Sequence, residues 1–146
     1  MKNQDSIHLL QECDSGAKMA VSSINGVLDK VNNVTLKSIL TDSRNQHESL
    51  GNEIHAALNS CHSDTKEPGM VAKGMSWMKT NMKMTMSPDD SDASAADLIT
   101  DGCNMGVKSL NEYLNKYKNA DEEAKGFCKK LVRLEETLCK DLRSYL

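Results

Sequence analysis

Aromatic residues are nearly missing from this chain: one Trp, one Phe and three Tyr make up 3% of its 146 residues. Proline is scarcer still, with two copies. Sheets draw on aromatic and β-branched residues and helix interiors reject proline, so these shortages argue against a sheet and for long helices. No stretch approaches the ~20 apolar residues that a membrane span needs, and the opening "MKNQDSIHLL" lacks the apolar run of a secretion signal. A soluble, cytoplasmic protein is the expectation. An excess of positive charge is also lacking. The formal net charge is −3, with Lys and Arg spread along the chain, which leaves no electrostatic footprint for nucleic acid or an anionic membrane.

Five cysteines, at 13, 61, 103, 128 and 139, include no C-x-x-C pair. Their wide spacing matches neither a disulfide framework nor a zinc site, and reduced thiols in a reducing compartment are the simpler reading. Glycine-rich phosphate loops and G-x-S-x-G are absent as well. No motif of nucleophilic or phosphate chemistry is left to argue from.

What the chain does have is helical periodicity over a length that fits one domain, residues 1–146. Ile7, Leu10, Asp14, Ala17, Val21, Ile24, Leu28 and Val31 form a seam in steps of three and four, which predicts a first helix over 6–31 with Asp5 or Ser6 as its cap. Asn32 and Asn33 close it and cap a second helix over 34–61, whose seam carries Leu36, Leu40, His47, Leu50 and Ile54. Further helices are expected over 92–117, with Ala95, Ile99, Gly102, Gly106, Leu110, Tyr113 and Tyr117 on one side, and over 122–146, with Phe127, Leu131, Leu134, Leu138, Leu142 and Tyr145, the two separated by "KNAD". Short turns make each pair an antiparallel hairpin. Between the hairpins, "GMSWMKTNMKMTM" at 74–86 places Val71, Met75, Met78, Met82 and Met86 on one stripe, with Met70, Gly74, Trp77 and Met84 beside it. Two adjacent apolar stripes predict an amphipathic crossover helix over 69–86. Copper(I) bound by Met78 and Met82 is a further use of the same thioethers, although the periodicity already accounts for them.

The hairpins also echo each other, "CDSGAK" at 13–18 and "CNMGVK" at 103–108, which suggests duplication. These stretches, with "LKSILTDSRNQHESLGNEI" in the second helix and the Gly74, Trp77, Lys79 element of the crossover, resemble the bacterial ferritin-like four-helix-bundle proteins known chiefly as a domain of unknown function. The resemblance covers nearly the whole chain. It implies an all-α, ferritin-like four-helix bundle, two antiparallel hairpins joined by a long crossover with an extra helix. It also implies an ancestry among carboxylate-bridged metal proteins.

A di-iron centre of that ancestry needs Glu-x-x-His on two helices, and none occurs here. Arg44 stands three residues before His47, and Glu136 three before Cys139. Where the family tends to carry acids after the helix glycines, Lys18 and Val107 stand instead. Asp14 and His47 on the seams, with Glu135 beside one, remain candidates for a degenerate iron or manganese site. They equally suit a polar layer in which Asp14 pairs with His47 or Lys18 and helps to fix register. His55 and His62 are expected to face solvent. The favoured expectation is a non-catalytic interaction or stress-associated accessory protein without a cofactor. It would bind a protein partner or a second copy through Met70, Trp77 and Met84 of the crossover.

Overall fold

The computed structural model describes residues 2–61 and 91–146. The expected crossover helix over 69–86, with Met70, Trp77, Met84 and the copper candidates Met78 and Met82, lies outside the described residues, as does His62. The described chain forms four helices: α1 (Gln4–Leu28), α2 (Val34–Ser60), α3 (Ser91–Lys116) and α4 (Glu122–Leu142), the last followed by a 3-10 turn over Arg143–Tyr145. Among the described residues there is no strand.

The first helix starts earlier than its apolar pattern suggests because Asn3, not Asp5 or Ser6, is its cap. The Asn3 side-chain oxygen accepts from the Ser6 backbone N–H at 2.9 Å, satisfying a donor that the helix cannot pair internally. Asp5 and Ser6 serve the tertiary structure instead. Asp5 accepts from the Asn119 N–H at 3.1 Å, and the Ser6 hydroxyl accepts from the Asp121 N–H at 2.7 Å. Lys2 adds ion pairs to Asp121 at 2.6 Å and Glu123 at 2.9 Å, so the start of α1 is fastened to the α3–α4 turn. At the other end of the bundle, Asp92 in the first turn of α3 accepts from the Asn32 and Asn33 backbone N–H groups of the α1–α2 turn, at 2.7 and 3.1 Å. These two sets of bonds fix the directions. The two hairpins are antiparallel within themselves, and Cys61 and Ser91 lie at opposite ends of the bundle.

Both α1 and α4 pack on all three of the other helices, whereas α2 and α3 scarcely meet. The apolar interior divides into two clusters stacked along the axis. One, near the α3–α4 turn, contains Leu10, Cys13, Ile54, Leu110, Cys128 and Leu131. The other, near the α1–α2 turn, contains Ile24, Leu36, Leu40, Ile99, Leu138 and Leu142. Each fully buried leucine contributes about 1.5–3 kcal/mol of transfer free energy, so both halves are held by ordinary hydrophobic burial. Between them α2 supplies His47 and α4 supplies Glu135.

Candidate functional site

The α4 seam runs Ala124, Cys128, Leu131, Glu135, Leu138 and Leu142, in steps of four and three, and every one of these residues is buried. Phe127 and Leu134, chosen from their apolar character in the sequence, are only partly covered. Glu135 therefore occupies a core position instead of flanking it. Facing it, His47 on α2 is fully buried, and its Nε2 lies 3.2 Å from Glu135 Oε1. The other ring nitrogen, Nδ1, donates to the Ser43 backbone carbonyl at 2.8 Å, one turn earlier on the same helix. That bond uses the Nδ1 proton, so contact with a carboxylate at Nε2 favours the doubly protonated ring.

The ionisation of His47 is set by opposing effects. Burial by itself pulls its pKa down, but the hydrogen bond and charge of Glu135, with the Ser43 carbonyl, more than offset burial and raise it above the ordinary value of 6.5. Well below that ordinary value, folded and unfolded chains both carry the proton and the pair contributes in full. As pH rises through the elevated native pKa, the imidazolium is lost and the contribution goes with it. The unfolding free energy is therefore expected to fall as pH climbs from 6.5 through the mildly alkaline range. Urea unfolding across that range is expected to show the slope in the native sequence and not in His47→Gln.

Glu135 has further neighbours on α3. Burial first, then the charge of this carboxylate, pushes the Cys103 thiol far above its ordinary range. Gly106 lies alongside, where a Cβ would stand 3.4 Å from the Glu135 carboxyl carbon. That is ordinary contact distance, so this glycine of the "CNMG" stretch sits against the carboxylate without being required by it. A second buried acid, Glu12, lies close to Tyr113, whose hydroxyl pKa is pushed up to about 12 by burial and then by the Glu12 charge. Sequence reading did not single out Tyr113 or Cys103 here, because both looked like ordinary seam residues.

Asp14 joins neither group. It is 1% exposed and lies in a cleft between α1 and α2, with Lys18 Nζ at 3.0 Å and His55 Nδ1 at 3.6 Å. His55, expected in solvent, keeps 44% of its side chain exposed while its Nδ1 faces this acid. Of the three candidate ligands, His47 and Glu135 are therefore brought together, while Asp14 pairs with its own helix neighbour one turn on. Among the described residues, no group of three or more His, Cys, Asp and Glu is placed to hold a metal ion. The donor set does not fit a di-iron centre, which would draw on four carboxylates and two histidines.

Beside the pair, a groove of about 240 Å³ opens between α1 and α3. Small residues, Gly16, Ala20 and Ser23 of α1 and Gly102, Gly106 and Ser109 of α3, line it together with the larger Met19, Met105 and Tyr113. Leu131 and Leu138 of α4 form an apolar floor, with Glu135 between them. Elsewhere small residues bring helices together directly, as where a Cβ on Gly51 would lie 3.2 Å from the Ala17 methyl at the α1–α2 contact. Along α1 and α3 they leave room for large side chains. No described helix is long and apolar enough to cross a membrane.

No protein-family model matches the chain, and no curated protein matches it. Among solved structures, a fragment of a DUF305 protein, a domain of unknown function, from Deinococcus radiodurans is similar. The match has a TM-score of 0.77 at 11% identity and covers 98% of this chain and 95% of that one. At that identity the likeness is one of fold: the described residues form four helices and no strand, an architecture shared with a domain of unknown function.

Proposed function

We propose that the protein is a non-catalytic, ferritin-like bundle that acts as an accessory interaction protein, recognising a helix face of a second copy of itself. The observation that carries this reading is the α1–α3 groove, a largely apolar trough of about 240 Å³ in which small residues leave space for the bulky side chains of a docking helix. The ferritin-like assignment draws support from the two antiparallel hairpins and from Cys61 and Ser91 lying at opposite ends. The anchors are Met70, Trp77 and Met84 of the methionine-rich stretch, large apolar side chains of the kind that dominate helix-in-groove binding.

Sedimentation of the native protein against Trp77→Ala and against Ala20→Phe, which fills the groove, tests this. Each variant is expected to weaken self-association about tenfold or more, the loss of roughly 1.4 kcal/mol that one anchor supplies, with helical circular dichroism unchanged. A native chain that sediments as a monomer at every concentration overturns the reading. So does a Trp77→Ala chain whose monomer melts.

The His47–Glu135 contact favours a second reading, iron or manganese bound at a degenerate site. Elemental analysis of chelator-free protein, together with a metal-dependent rise in melting temperature that is lost in His47→Ala, would establish it. Metal-free protein with no such shift would end it.

A further inference from the structure

Two side chains that face each other across the α1–α2 cleft are left with polar atoms that hydrogen bonding does not satisfy. The helices touch where a Cβ on Gly51 would lie 3.2 Å from the Ala17 methyl. In an antiparallel pair that contact sets Asp14, three residues before Ala17, opposite His55, four residues after Gly51. Asp14 is buried, and its Oδ2 finds no hydrogen-bond partner among the described residues, although Lys18 Nζ stands 3.0 Å away in an ion pair. The His55 Nδ1 is likewise buried and has no hydrogen-bond partner among them. It lies 3.6 Å from Asp14 Oδ1.

That separation is too long for a hydrogen bond between the two atoms, which would bring them to about 2.7–3.2 Å. It is too short for a bridging water, because two legs of about 2.8 Å would close an angle of only about 80° at the water oxygen. An ion about 2.0–2.1 Å from both atoms, the length of zinc bonds to imidazole nitrogen and carboxylate oxygen, would see them about 120° apart, as in a distorted tetrahedral site. Buried polar groups without partners call for such an occupant.

We propose that Asp14 and His55 bind a divalent transition-metal ion of the zinc class, with Asp14 Oδ1 and His55 Nδ1 as its protein ligands and water in the remaining positions. The donor types narrow the ion. One imidazole nitrogen beside one carboxylate oxygen suits zinc, whereas magnesium and calcium call for oxygen throughout. Lys18 stays beside Oδ2, so the carboxylate binds through Oδ1 alone. The cleft measures about 510 Å³, which leaves room for coordinated water, and Ser22, Asn25 and Asn52 line it with groups that can bond to that water. Lys18 and His55 are both partly exposed at this cleft, so an ion can enter from solvent.

His47 also borders the cleft, but its Nδ1 is bonded to the Ser43 carbonyl and its Nε2 to Glu135. Neither nitrogen is open to this ion, and the site is distinct from the His47–Glu135 contact. It also shares no lining residue with the α1–α3 groove, so it stands or falls independently of self-association. An ion held between α1 and α2 binds the folded chain and clamps the first hairpin.

Calorimetric titration of the full, reduced chain with zinc chloride tests this, in a Cys61→Ser, Cys139→Ser background that removes the two less buried thiols. One zinc per chain is expected to bind, with a matching rise in melting temperature, and magnesium is expected to do neither. His55→Gln, at a partly exposed position, should weaken zinc by at least the ~10–100-fold that losing an outer-shell partner costs a metal site. His8→Gln, which removes an imidazole packed on Tyr117, should not weaken it. Nitrogen NMR of the imidazole rings supplies a readout that needs no histidine variant: zinc should shift His55 Nδ1 and leave His47 unchanged. Zinc affinity unaltered in His55→Gln overturns the proposal, as does a shift confined to other imidazoles or the lack of any saturable zinc binding.

Discussion

Replacing Glu135 with Ala is expected to lower the unfolding free energy by about 3–5 kcal/mol, the range for removing one partner of a buried ion pair. The size follows from what is left behind more than from what is lost. His47 is fully buried and its Nδ1 remains bound to the Ser43 carbonyl, so Nε2 loses the one side-chain partner that favours its proton. The ring must then either carry an uncompensated charge or give up its proton against the bias that held it. Replacing both residues by Leu removes the polar atoms together and is expected to be near neutral or stabilising, because the paired charges spend most of their attraction on desolvation. Urea unfolding of Glu135→Ala, His47→Leu and the double variant forms a complete cycle. If Glu135→Ala costs less than about 1 kcal/mol, the range of an exposed pair, the two side chains are not a buried unit.

Leu131→Ala is expected to cost about 2–5 kcal/mol, and for a different reason. Leu131 is fully buried one turn before Glu135 and belongs to the cluster nearer the α3–α4 turn. Truncation leaves a void whose walls are held by three neighbouring helices, so collapse is limited and the cost belongs in the upper part of the range. It also borders the α1–α3 groove, and the void would merge with it. Calorimetry should show a lower melting temperature with no change in its dependence on pH, since the His47–Glu135 contact is untouched. The two substitutions therefore separate: one alters the pH profile and the other does not.

How far these features were legible in the sequence depends on what hides a core position from a reader of apolar periodicity. In α2, whose seam is Leu36, Leu40, His47, Leu50 and Ile54, the polar member stood between strong leucine signals and was visible. In α4 the same spacing was present but Glu135 and Cys128 did not register as core, while Phe127 and Leu134 competed from the neighbouring stripe. The seam was displaced accordingly. For α1 the difficulty was geometric. A helix that contacts three others buries residues on most of its circumference, and Glu12 through Ala17 are all buried. One stripe of periodicity cannot describe such a stretch, which is why Leu9 and Cys13 escaped it. The pairing of Asp14 with Lys18 was accessible, because four residues make one turn. Its contact with His55, and that of His47 with Glu135, join different helices and depend on register, which local spacing does not encode.

The bonds at the ends of the bundle bear on the order in which the chain assembles. Each hairpin closes through short turns, but Lys2 must find Asp121 across 119 residues and Asn32 must find Asp92 across 60. Loop closure over such separations is slow compared with forming either hairpin. Docking of the hairpins is then the rate-limiting event, and the end contacts form late. Substitutions at Lys2 or Asp92 should accordingly speed unfolding and leave the refolding rate almost unchanged, which makes these fastenings determinants of the native state's lifetime.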